Sequence, residues 1–167
     1  MAKTTRTIEK DYGFKRIMKQ YELLARKPYV KVGLLSGPSN KPKEVRTSDG
    51  GTKLKEELTI LEVAVFNEFG TKNIPERSFI RSTYDEKKNE WWALTKNLKS
   101  KIYKGTSDVK TSLKIIGEKI VADDQKKIRS NVPPPNKPST VRRKKSSKTL
   151  IDTGQLLGSI KYKVYKV

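Results

Sequence analysis

Glu68, Glu76 and Asp85 are acids whose spacing around a turn could bring three carboxylates to one magnesium ion for assisted hydrolysis. Lys72, Arg77 and Arg81 stand among them, so ordinary ion pairing is the simpler expectation. Asp123 and Asp124 are adjacent on a helical stretch and therefore diverge, which argues against a shared two-carboxylate site built from that pair alone. The chain holds no His and no Cys. That removes the Ser-His and Cys-His nucleophile arrangements, thiolate zinc sites and disulfides, leaving only carboxylate, Lys, Tyr or Ser chemistry. Neither a Walker loop nor a dinucleotide fingerprint is present. The expectation is a protein with no catalytic residue, no metal and no cofactor.

Charge points the same way. Lys and Arg number 38 against 18 Asp and Glu, a net charge of +20 over 167 residues. Such an excess predicts an anionic partner: nucleic acid, an acidic protein surface or a membrane face. The basic residues are spread along the chain and match no sequence-reading motif, so contact with DNA would be charge-driven and non-specific. No apolar run reaches signal-peptide or membrane-spanning length, and the expectation is a soluble protein with no membrane partner.

Positioning these groups falls to elements that can be read in order. Apolar residues from Ile8 to Leu24 recur at helical steps, predicting a helix over Ile8 to Lys27 interrupted by Gly13 and stopped by Pro28. Tyr29 to Leu34 alternates as a half-buried strand. Residues 36–58, rich in Gly and Pro at first, read as an extended arm that becomes ordered on contact with a partner, either a floppy β-hairpin turned at Asp49, Gly50 and Gly51 or a disordered loop. ILEVAVFNEF forms an apolar helix ended by Gly70, and Pro75 is expected to open a long helix running to about Lys104. The corner between them carries charged groups beside Phe69 and Phe79, expected to be an exposed apolar pair. Adjacent Trp91 and Trp92 cannot both face the core, so one sits at its rim.

Gly105 ends the long helix, with Thr106 or Ser107 as cap of the next, whose apolar stripe runs from Val109 to Ile128. Gly117 flanks that stripe, where close helix packing would suit it. Residues 131–148 contain four prolines and six Lys or Arg with no acid, which predicts an extended loop. Within it Arg142, Arg143, Lys144 and Lys145 form a basic block suited to DNA or an acidic partner. Asp152 or Thr153 would cap a single turn through Leu157, followed by a final strand pairing with the first or with its neighbours. A single α+β domain over residues 1–167 results: a small, mostly antiparallel sheet against two long antiparallel helices.

The segments VAVFNEFGTKNIPERSFIRSTYDE, SLKIIGEKIVADDQKKI and LIDTGQLLGSIKY, with the proline-rich stretch, resemble the tailed-phage virion morphogenesis proteins that complete the tail or join it to the head. The matching positions are Asn67, Glu68, Phe69, Gly70, Thr71, Pro75, Arg77 and Phe79 at the corner, and Leu150, Asp152, Thr153 and Gly154 before the final strand. Ser78 stands where that family often has a second proline. The resemblance implies a structural subunit at the neck or head-proximal end of the tail, assembled in the host cytoplasm as a ring of its own copies, commonly a hexamer. Its neighbours would be a tail terminator or tail tube protein and head connector proteins, with genomic DNA passing nearby. Subunit or partner interfaces would then fall on Glu68, Phe69, Gly70, Thr71, Pro75, Arg77, Phe79, Asp152, Thr153 and Gly154.

Overall fold

Gly13, with φ of 94°, is the N-cap of α1 (Phe14–Ala25), so the glycine read as an interruption marks the start of the helix. The computed structural model describes residues 12–35, 41–47, 49 and 51–167, and the expected helical turn before Tyr12 lies outside them. α1 stops at Arg26, just ahead of Pro28. β1 (Tyr29–Leu34) then pairs antiparallel with β4 (Ile160–Tyr165), in a register that sets Tyr29 opposite Tyr165 and Leu34 opposite Ile160. The first and last strands thus pair directly, one of the arrangements expected for the final strand. Tyr29 and Tyr165 stack with ring centroids 5.1 Å apart.

Within 36–58 the chain takes the hairpin form: β2 (Pro42–Arg46) pairs antiparallel with β3 (Thr52–Thr59), with an irregularity at Pro42 and Lys43. Thr47 N–H donates to Gly51 C=O at 2.9 Å, and Asp49 accepts from Gly51 N–H at 3.1 Å, which narrows the turn. Gly50, part of the expected reversal, is outside the described residues. β3 feeds directly into α2 (Ile60–Phe69), because Thr59 and Glu62 form a reciprocal capping box.

The long helix begins later than Pro75. α3 spans Ile80–Tyr103 with Phe79 as N-cap. Backbone groups of the intervening turn are committed elsewhere: Thr71 N–H donates to Ile74 C=O and Arg77 N–H to Asn67 C=O, both at 2.7 Å. A backbone bonded this way cannot also run the helical ladder. Neither Thr106 nor Ser107 caps the next helix, since their N–H groups donate to Lys101 C=O and close α3. The cap is Asp108, which accepts from Thr111 N–H at 2.8 Å and opens α4 (Val109–Arg129).

α3 and α4 run antiparallel, as the cross-links Trp91 to Asp123 and Glu86 to Lys127 require. α4 also lies on the β1–β4 pair, where Gly117 meets the ring of Tyr162. The result is an α+β fold with a small antiparallel sheet packed against the two long helices. Trp92 is the tryptophan left at the rim, 62% exposed. The stretch 131–148 is not a plain loop, for Pro138 opens the short helix α5 (Pro138–Lys144). Asp152 and Thr153 do not cap the next turn. Gly154, at φ 88°, is the N-cap of α6 (Gln155–Ser159), without a side-chain bond. The core gathers Ile60, Ala64, Phe79, Ile128, Leu156 and Ile160, so α2, the corner, α4, α6 and β4 share one interior. Each large aliphatic group buried there contributes about 1.5–3 kcal/mol.

Candidate functional site: the corner and the cleft beside it

Glu68 lies at the end of an apolar helix, where a carboxylate pays a desolvation cost unless donors surround it. They do. Its Oε2 accepts from the N–H of Phe79 at 2.8 Å and of Ile80 at 3.0 Å, while Oε1 accepts from Arg81 N–H at 2.9 Å and Ser78 Oγ at 2.8 Å. The Arg81 guanidinium adds Nε to the same oxygen at 3.1 Å and reaches the Glu68 C=O at 2.6 Å. A side chain from α2 therefore caps the first turn of α3, satisfying donors that a helix cannot bond internally. Burial pushes the Glu68 carboxyl up, but the N–H groups of Arg81, Ile80 and Phe79 with the Ser78 hydroxyl outweigh it and hold it below the usual glutamate range. The residue is 5% exposed.

Phe79, expected to be exposed, is fully buried in the core beneath this cap. Its N–H is fixed by Glu68 and its carbonyl by Thr83 Oγ1, which leaves the ring only the interior. Phe69 remains exposed at 61%, under the Arg81 guanidinium at 4.5 Å from the ring centroid. Gly70 turns the chain at φ 75°. A Cβ there would stand 3.0 Å from Glu76 N.

The three acids first considered for magnesium do not come together. Glu68 is absorbed in the cap, Glu76 pairs with Arg81 at 2.7 Å, and Asp85 lies by Lys88 at 3.6 Å. No group of three potential metal ligands exists among the described residues. Asp123 and Asp124 diverge as expected: Asp123 accepts from Trp91 Nε1 and Lys119 Nζ, both at 2.8 Å. Asp124 turns inward and its Oδ1 has no hydrogen-bond partner among the described residues. Burial first, then the charges of Asp123 and Glu68, push its carboxyl up to about 7.

Behind the corner, Arg77 reaches the proline-rich segment. Its Nε donates to Pro134 C=O at 2.7 Å and its terminal nitrogen to Pro135 C=O at 3.3 Å. The guanidinium is buried, which lowers its proton affinity. Lys144 is buried as well, although it belongs to the block expected to meet a partner. Its Nζ donates to the carbonyls of Lys148 at 3.0 Å and Thr149 at 3.2 Å, and burial lowers its pKa. Arg142, Arg143 and Lys145 stay exposed.

Between these segments runs a cleft of about 510 Å³. It draws together pieces far apart in sequence: Asn67, Pro75 and Arg77 from the corner side, Leu150, Asp152, Thr153 and Gly154 from the segment before α6. Arg143 and Lys144 border it, whereas Arg142 and Lys145 do not. Glu68, Phe69 and Phe79 instead line a smaller depression beside β1, and Thr71 is exposed at the turn. Lys43, Glu44 and Gln155 also border the larger cleft and were not singled out from sequence. Gln155 carries a legible geometric role only in three dimensions: its amide accepts from Glu44 N–H at 2.7 Å and donates to Pro42 C=O at 3.1 Å, imitating a strand partner on the edge of β2. Among the described residues no helix is long and apolar enough to cross a membrane. Comparison of the chain with protein-family models, curated proteins and solved structures returned no match.

Proposed function

We propose that this chain is a structural subunit of a tailed-phage virion, assembling as a ring of its own copies where the tail meets the head, completing the tail and joining it to the connector. The observation that carries the reading is that two motifs separated by some seventy positions, the corner residues Asn67, Pro75 and Arg77 and the segment from Leu150 to Gly154, line one cleft. Sequence elements that converge on a shared surface serve a shared purpose better than either serves alone. The hydrogen bonds at Glu68 and Arg77 support a rigid joint, because they use up the charged groups in holding backbone rather than offering them to a substrate.

The test is removal of the protein from the phage, with electron microscopy of the particles. Filled heads beside unattached or incomplete tails, and rings in negative-stain images of the purified protein alone or with its tail partner, support the proposal. Normal tailed particles and a strictly monomeric protein overturn it.

The net charge of +20 favours a second reading, a charge-driven DNA-binding protein without sequence preference. Its signature is an affinity for duplex DNA that falls steeply with salt, in a protein that particle assembly does not require.

A further inference from the structure

The cleft has a chemistry that neither reading specifies. Lys43, Lys137 and Arg143 border it together with Glu44 and Asp152, while Arg77 and Lys144 stand in its wall buried, their charges held on backbone carbonyls. The rest of the wall is mixed: Leu58, Val63, Phe66 and Ile74 give it an apolar floor, beside polar Asn67, Asn73, Asn136 and Thr140. Two buried side-chain oxygens in the lining, Thr149 Oγ1 and Asp152 Oδ1, have no hydrogen-bond partner among the described residues. Both atoms lie beneath the cleft surface, closed to solvent.

We infer that this cleft binds an extended peptide segment, acidic and apolar in alternation, contributed by a different protein. The inference deepens the joint reading by naming the partner's chemistry at the same surface, and it rests on that reading for the partner's source. Three features select the ligand. The volume suits a short segment of chain with its side chains, whereas duplex DNA would meet only the rim. Apolar lining with a basic border matches side chains of two kinds on one strand, and a phosphate backbone supplies only one of them. Neither of the longer stretches outside the described residues is acidic: residues 1–11 carry Lys3, Arg6 and Lys10 against Glu9 and Asp11, and residues 36–40 carry no acid.

The probe is a fluorescent synthetic peptide of about ten residues alternating Glu with Leu and Ser, compared by anisotropy with a Lys-for-Glu version and with a ten-nucleotide oligothymidine, choices set by the strand-like binding mode. The full chain should bind the acidic peptide and ignore the basic one. Arg143→Glu, exposed on the cleft border, should weaken binding at least about tenfold. Arg142→Glu changes the same charge one position away, off the cleft, and should leave affinity within about twofold, as a rim charge elsewhere does. Circular dichroism of each variant checks the fold.

Equal loss from Arg142→Glu and Arg143→Glu, or oligothymidine binding as tight as the peptide, overturns the inference in favour of general electrostatics. Absence of peptide binding also overturns it, while leaving the joint reading intact if deletion still disrupts tails. Peptide binding by a protein whose deletion leaves particles normal does the reverse.

Discussion

Gly117 and Tyr162 are in direct contact: a Cβ added to the glycine would lie 2.6 Å from Tyr162 Cδ2 and 2.7 Å from Cγ. The ring edge thus occupies the space that any other residue of α4 would fill, and the tyrosine hydroxyl donates to Glu118 at 3.0 Å. Gly117→Ala should therefore destabilise by about 1–3 kcal/mol through overpacking. In a Tyr162→Ala background the same change should be neutral or stabilising by up to about 1 kcal/mol, since alanine is the better helix former. A urea-denaturation double-mutant cycle reads the change of sign.

Glu68→Ala strands the N–H groups of Phe79, Ile80 and Arg81 at once and should cost about 3 kcal/mol. The pH dependence has a definite sign. The Glu68 carboxyl is held below its ordinary 4.5, so its stabilisation is present above that value and is lost as pH falls through the lower, folded one. Glu68→Gln should flatten that acid limb of the stability curve, measured by thermal melts from pH 6 down to about pH 3, below the ordinary glutamate range.

Asp124 has the opposite sign. Its ordinary value is 3.8 and its folded value about 7, so between them the folded chain keeps a proton that the unfolded chain has released. Stability falls as pH rises through that window and does not return above it. Asp124→Asn should raise the melting temperature relative to the native chain by roughly 4 °C at pH 8 and by much less at pH 5. Calorimetry at the two pH values checks it; an equal effect at both would mean the carboxyl titrates normally.

Gly70→Val forces a β-branched residue into φ 75° and against Glu76 N. The expected loss is about 2–4 kcal/mol, combining backbone strain with the displaced turn. Hydrogen exchange should show the loosening first in the N–H groups of Arg77 and Phe79, which the corner holds.

The elements that rest on local rules were legible before the structure. Alternation marked Tyr29 to Leu34 and the final segment as strands, and the register pairs the two directly; the stripe of α4 marked Gly117 for a close helix, and its neighbour is instead Tyr162 of β4. Boundaries set by long-range bonds were not. Pro75 satisfies every local condition for opening a helix, yet α3 waits for Phe79 because its cap arrives from Glu68, eleven residues upstream. Lys144 reads as one of four equivalent charges, and only the turn of α5 buries it while leaving Arg143 outside. Of the cleft, the corner and the Leu150 to Gly154 segment were singled out. The contribution of Lys43, Glu44 and Gln155 depends on where the β2–β3 hairpin lands, and nothing local to those residues encodes it.

Arg77 clasps two proline carbonyls, and that choice of acceptor has a further result. An amide oxygen gains and loses no proton across the range in which carboxylates do, and arginine keeps its charge throughout it. The tie between the turn and the proline segment is thus indifferent to acidity, and with no counter-charge in it, salt has little to screen. Whatever surroundings the molecule passes through, this clasp travels unchanged while the exposed lysines and arginines around it answer to every shift in ionic strength.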